Sequence, residues 1–135
     1  MFKSTHKLLV PLLVLFFIVS GCKFITEGKQ KLARYCPGLK INTPGMTYAF
    51  SDGRGFYVID YDRSSQQNVK TYFEKKENGF VEEKDGDFYN LELDGKPVID
   101  KTDNIFGKTF IHAKGNTEVV FNETTRRILI IKNSD

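Results

Sequence analysis

The side chains able to act as base or nucleophile here are His112, Cys36 and a few serines, and their spacing limits the chemistry open to them. His112 is one of two histidines, the other being His6 close to the N-terminus, so a histidine metal cluster is excluded. A serine or cysteine nucleophile with a histidine base has to use His112. Ser51, Ser64 and Ser65 lie in turn-like segments, without the strand-to-helix elbow that exposes a catalytic hydroxyl. Cys36, in Tyr35-Cys36-Pro37-Gly38, has no histidine beside it in sequence to lower its pKa, and reads as a small buried hydrophobe. The glycine-rich run Ser51-Asp52-Gly53-Arg54-Gly55 lacks the lysine and following helix of a phosphate cradle. Glu83, Asp85, Gly86, Asp87 and Glu92 hint at a calcium loop. Aligning Gly86 with the invariant glycine places Glu92 as final ligand but puts Val81 at the first ligand position. These acids therefore read as solvated turns. No cofactor and no metal is expected, and the chain is not expected to be an enzyme.

What must position these residues is a series of short strands. From Leu39 onward, apolar runs alternate with turns: Ser51 to Gly55, Asn78-Gly79, Asp85-Gly86, Asp94-Gly95 and Gly115-Asn116. Asp-Gly and Asn-Gly favour the positive φ angles of tight hairpin turns. The runs themselves are Thr47 to Phe50, Gly55 to Tyr61, Phe80 to Glu83, Phe88 to Leu93, Pro97 to Ile99, Lys108 to Ala113, Thr117 to Asn122 and Arg126 to Lys132. Their spacing predicts a mainly β domain, an antiparallel meander closed into a small barrel or folded as a sandwich. Two registers follow. The Asp94-Gly95 turn sets Val98 opposite Leu91, with Tyr89, Leu91 and Leu93 on one face. Gly115-Asn116 sets Phe110 opposite Phe121 and His112 opposite Val119. Ile128 to Ile131 is apolar on both faces, as a central, doubly covered strand would be. Near residues 64–77, Val69, Tyr72 and Phe73 are spaced for one helix, with Ser64 or Ser65 as N-cap and Gly79 beyond its end. A loop and a strand from Val69 to Glu74 is the all-β alternative to this α+β arrangement.

The N-terminus says where the protein lives. Lys3 and Lys7 precede Leu8 to Val19, which is apolar throughout, and Val19-Ser20-Gly21-Cys22 closes the segment. About a dozen apolar residues are too few to span ~30 Å of hydrocarbon, but suit a signal peptide. Val-Ser-Gly-Cys resembles the lipobox of bacterial lipoproteins. The resemblance implies cleavage before Cys22 and acylation of its thiol. On that reading residues 1–21 are signal peptide, 22–38 the lipidated N-terminus and a short tether, and 39–135 one globular β-rich domain. Lys23 to Arg34 carries four basic residues and one acid, Glu27, and is expected to form one or two helical turns ending at Pro37-Gly38. Basic residues beside a lipid favour anionic headgroups, and a solvated linker is the alternative reading of this stretch.

Composition narrows the remaining classes. The whole chain carries +3, and losing Lys3 and Lys7 brings it close to neutral without any basic stripe, which sets nucleic acid aside. With Cys22 acylated, Cys36 has no intramolecular disulfide partner. The expected activity is that of a non-enzymatic envelope lipoprotein binding or inhibiting a protein, as an immunity-type module does. A structural surface lipoprotein is the alternative, and a small envelope enzyme a remoter one. Gly55 to Tyr61 is apolar on both faces, so part of it is expected at the surface. Ser51, Arg54, Phe56 and Tyr57 are the expected partner contacts. The Ser51-Asp52-Gly53-Arg54 turn is similar to the serine-glycine-arginine loop of membrane-bound lysozyme inhibitors, which implies Ser51 and Arg54 as insertion residues. The paired cysteines of that family are missing. Lys23, rather than aspartate, after the lipidated cysteine implies the outer membrane where two membranes exist, and otherwise the outer face of the cytoplasmic membrane.

Overall fold

A computed structural model describes residues 27–41 and 45–133. Cys22 and the expected signal peptide, residues 1–21, lie outside the described residues. Residues 27–35 form helix α1. Leu32, Tyr35 and Cys36 recur at helical spacing and all three are buried in the core, so this face packs on the domain. The amide of Cys36 closes on the carbonyl of Leu32 at 2.7 Å, and Pro37 and Gly38, the latter at φ 87°, end the helix. Residues 27–38 thus pack with the globular unit, and the boundary expected at residue 39 does not separate them from it.

The architecture is an open, mainly antiparallel sheet, not a closed barrel. Strands β1 (Gly45–Ser51) and β2 (Arg54–Asp60) form the first hairpin, with Asp52 and Gly53 both at positive φ, as a type I′ turn requires. After β2 come helix α2 (Gln66–Glu74) and the two-residue strand β3 (Val81–Glu82). A small second hairpin follows, β4 (Glu92–Leu93) with β5 (Lys96–Pro97), and then the one-turn helix α3 (Asp103–Phe106). Strands β6 (Thr109–Lys114), β7 (Thr117–Asn122) and β8 (Arg127–Lys132) finish the chain. Their order across the sheet is β1-β2-β8-β7-β6-β3. Strand β8 is central, as its two-faced apolarity predicts. Phe110 pairs with Phe121 and His112 with Val119, the predicted register.

Each face of the sheet has its own cover. On one side α1 and α2 pack against Ile59, Val119, Phe121, Ile128 and Ile130. Helix α2 is the helix expected near residues 64–77. Its Val69 and Phe73 are fully buried, and Phe73 stacks on Phe121 with ring centroids 4.4 Å apart. Ser65 sits at its N-cap, but without the side-chain hydrogen bond expected there. On the other side Phe56, Val58, Val120, Leu129 and Ile131 meet Phe88, Leu91, Val98 and Ile99.

This second cover departs from expectation. Asp87–Asn90 is a 3₁₀ turn, not the start of a strand. Phe88 and Leu91 both point into the core, and a spacing of three puts them on one side of a 3₁₀ turn but on opposite sides of a strand. Leu91 still lies opposite Val98, whose amide donates to its carbonyl at 3.0 Å. Asn78-Gly79 and Asp85-Gly86 make no hairpins. Gly79, at φ 82°, ends a 3₁₀ turn over Lys76–Asn78, and Gly86 is extended.

Candidate functional site

The turn that joins β1 to β2 is a clasp. Arg54 opens β2 on the face that carries Phe56 and Val58, so its side chain lies along the sheet towards the 87–99 cover. There its Nη2 donates to the Asp87 carbonyl at 2.7 Å, with a longer contact of 3.4 Å to Asp52 Oδ2. The Arg54 side chain is only 11% exposed. Ser51, on the neighbouring strand, accepts the Glu92 amide on its Oγ at 3.0 Å. At the other end of the strands, Arg127 reaches the Val98 carbonyl at 3.5 Å while pairing with Asp60 at 3.2 Å. Ser51 and Arg54 are therefore held inward by the cover segment rather than offered as an insertion loop.

Phe56 is fully buried, which removes it from the expected partner contacts. Alternation along β2 sends it to the face roofed by Phe88 and Leu91. Tyr57, one residue on, faces the helices and is half-buried. It lies 5.0 Å from the ring of Tyr48 and beneath Lys31, whose Nζ is 4.7 Å from the ring centroid.

The candidate chemical groups do not converge. His112 packs its ring against Phe80 at 5.3 Å and approaches Gly79 closely. Burial pushes the Cys36 thiol up to about 12, with Lys114 pulling partly the other way, so it is protonated at neutral pH. The acids of the 83–92 stretch spread along the cover: Glu83 caps the Asp85 amide, and Asp87 begins a 3₁₀ turn. Among the described residues no three metal-ligating side chains come together.

A polar network that sequence reasoning missed lies behind α3. Thr109 Oγ1 donates to Asn104 Oδ1 at 2.5 Å and accepts from Asn122 Nδ2 at 2.9 Å. Asn104 also donates to the Tyr89 hydroxyl, and Tyr89 donates in turn to the Lys84 carbonyl. Asn122 Oδ1 accepts the amides of Thr124 and Thr125. The chain of bonds ties the cover, α3 and the β7–β8 turn together, and it is consumed internally.

Among the described residues, large apolar side chains stay exposed at opposite edges of the sheet. Tyr48 and Phe50 project from β1 at 58% and 70% exposure. Ile105 and Phe106 project from α3 at 76% and 82%, and Val81 is exposed separately on β3. None of these was anticipated, although an Ile-Phe pair between the polar break at 100–104 and Gly107 is a signal of its own. Large apolar side chains clustered at one surface point to contact with something outside the domain. Among the described residues no helix is long and apolar enough to cross a membrane. Compared with known proteins, the chain matches no family model, no curated protein and no solved structure.

Proposed function

We propose that this chain is an envelope lipoprotein, held by an acylated Cys22, that works by binding a protein partner and carries out no catalysis. The observation that carries the binding half is the exposed pair Ile105 and Phe106. Ile105 and Phe106 stand on a one-turn helix whose base is fixed by the Asn104–Thr109 bond, so two bulky apolar groups are presented rigidly. Glu82, Lys84, Lys108 and Glu123 surround them with charges of both signs, the usual composition of an interface rim. The lipid half is supported by the basic flank, the short apolar core and Val19-Ser20-Gly21-Cys22. Ser51 and Arg54 act as structural supports on this reading, and Tyr57 belongs to a separate surface. The protein sits in the outer membrane of a two-membrane cell, or on the outer face of the cytoplasmic membrane otherwise.

Crosslinking in whole envelopes tests this, using the full chain with Cys22→Ala and Ile105→Ser/Phe106→Ser variants. The expected outcome is one stoichiometric partner, captured by the parent and lost in both variants. Capture unaffected by the double variant would move the contact elsewhere. No partner under several crosslinkers would overturn the binding module and leave a structural coat protein.

A further inference from the structure

We infer that the β1 edge is the membrane-facing side of the domain, with Tyr48, Phe50 and Tyr57 resting in the headgroup layer beside Lys31 and Arg34. This rests on the lipid anchor proposed above, and adds to it which surface the anchor holds against the bilayer. Tyr48 and Phe50 alternate with Ala49 along β1, so both project to the side of the sheet that α1 covers. On that side Tyr48 pairs with Tyr57 across the hairpin, and Tyr57 carries Lys31 over its ring.

The course of α1 gives the patch its occupant. Glu27, the first described residue of α1, shares a cleft with Gln30, Lys31, Arg34 and Tyr57, so this face of the helix lies beside β2, next to the β1 edge. Its far end reaches β6, where Lys114 donates to the Tyr35 carbonyl. Glu27 therefore lies close to the aromatic edge. Four residues, 23–26, lie between the lipidated cysteine and Glu27, and the five Cα–Cα steps from Cys22 to Glu27 span at most roughly 18 Å. The surface beside Glu27 is thus kept within reach of the headgroups, while β3 lies across the full width of the sheet.

Charge and side-chain type match the same occupant. Helix α1 carries Lys29, Lys31 and Arg34 against Glu27, and Lys23 lies in the link. Asp52, at the tip of the β1–β2 turn, is the nearby acid on that hairpin and is engaged by Arg54. Each lysine or arginine near an anionic surface adds about fivefold to association. Tyrosine favours the interface, where its ring is buried and its hydroxyl stays wet. An aromatic edge strand is also a hazard for strand addition, which a bilayer lying against it would block.

The chain contains no tryptophan, so a single introduced indole reports its own surroundings. Full-length Phe50→Trp and Phe106→Trp proteins, acylated in cells, are reconstituted into vesicles of phosphatidylethanolamine and phosphatidylglycerol. At position 50 the expected result is blue-shifted emission, several-fold weaker quenching by acrylamide, and quenching by acyl-brominated lipid. At position 106 the indole should stay open to acrylamide. Adding Lys31→Glu and Arg34→Glu to the Phe50→Trp protein should restore much of the acrylamide quenching. Equal quenching of the two single-tryptophan proteins, with acylation established by intact mass, would overturn the docking while leaving the anchor standing. An unacylated Cys22 would overturn both. A blue shift at position 50 that follows protein concentration rather than lipid would assign the patch to a second copy of the chain, and so overturn the membrane assignment.

Discussion

The two faces of the central sheet are covered by different means. One carries regular helices, whose Leu32, Tyr35, Val69 and Phe73 meet the sheet through ring stacking and aliphatic packing. The other carries an irregular segment, residues 87–99, in which Phe88, Leu91, Val98 and Ile99 fill a comparable core. A helix satisfies its own backbone, so its packing needs only an apolar face. An irregular cover leaves carbonyls unpaired, and these are met from the sheet rim by Arg54 at Asp87 and Arg127 at Val98, with Ser51 taking the Glu92 amide. The helical face is stabilised mainly by apolar burial; the other also needs polar fastening at both ends.

The largest effects should fall on both faces alike. Phe73→Ala and Phe88→Ala each remove a fully buried ring and should lower stability by about 3–5 kcal/mol in urea unfolding. Their reach should differ. Hydrogen exchange should show Phe88→Ala loosening amides from Phe88 to Ile99 while α2 remains protected, and Phe73→Ala loosening α2 first. Loss of protection across both covers in either variant would mean that the faces are not separable. Deleting β8, whose side chains serve both cores, should unfold the domain outright.

Alkaline pH should strike the helical face first. The Cys36 thiol is raised from about 9 to about 12 by burial, so the folded state keeps its proton where the unfolded chain loses it. Stability is therefore unaffected by this group below pH 9 and falls between pH 9 and 12, with a slope of at most about 1.4 kcal/mol per pH unit. Tyr72, whose hydroxyl donates to the Pro37 carbonyl beside it, is also raised by burial to about 12 and adds to the fall only above pH 10. The check is Cys36→Ala, which should flatten the curve from pH 9 to 10 and lessen its slope from pH 10 to 12, leaving there the fall due to Tyr72. An unchanged onset would place the sensitivity elsewhere.

The clasp comes next. Arg54→Ala leaves the Asp87 carbonyl without its charged donor and should cost about 1–3 kcal/mol. The loss should appear as faster exchange in residues 87–93 rather than in α2. Arg127→Ala acts on the opposite end of the same segment. If the cover is one unit, the double variant will lose less than the sum of the two single ones; strict additivity would show two independent fastenings.

This contrast also explains what the sequence could disclose. The period of Val69, Tyr72 and Phe73, the two-faced run Ile128 to Ile131 and the Gly115-Asn116 turn are local signals, and each led to the right element or register. The cover segment gave a misleading local signal. Read in isolation, Phe88 to Leu93 alternates well enough for a strand, and only the need to bury Phe88 and Leu91 against the same sheet selects a 3₁₀ turn. The roles of Arg54 and Ser51 were hidden for a related reason. A clasp depends on a carbonyl 33 residues away, which spacing does not encode. Phe56 was misjudged because a strand apolar on both faces reads equally well as exposed or as covered twice. Leu32, Tyr35 and Cys36 had helical spacing in plain view, but a basic flank disguised their face as a tether.

The smallest stability change should come from residues that neither face claims. Ile105 and Phe106 are mostly exposed, on a helix too short to be held by its own hydrogen bonds. What fixes α3 is polar: Asp103 Oδ2 accepts the Asp100 amide at 2.8 Å, its carbonyl accepts the Thr124 hydroxyl, and Asn104 bonds Thr109. Ile105→Ser and Phe106→Ser touch none of these bonds, so each should change stability by no more than about 0.5 kcal/mol. Asn104→Ala breaks the network beneath the same helix, and should cost more while leaving both apolar groups in place. Partner capture lost in the first pair with stability intact, against stability lost in the second, would separate the function of α3 from its support. If Phe106→Ser were as destabilising as Asn104→Ala, the ring would be a missing part of the second cover, and the contrast between the faces would have to include α3.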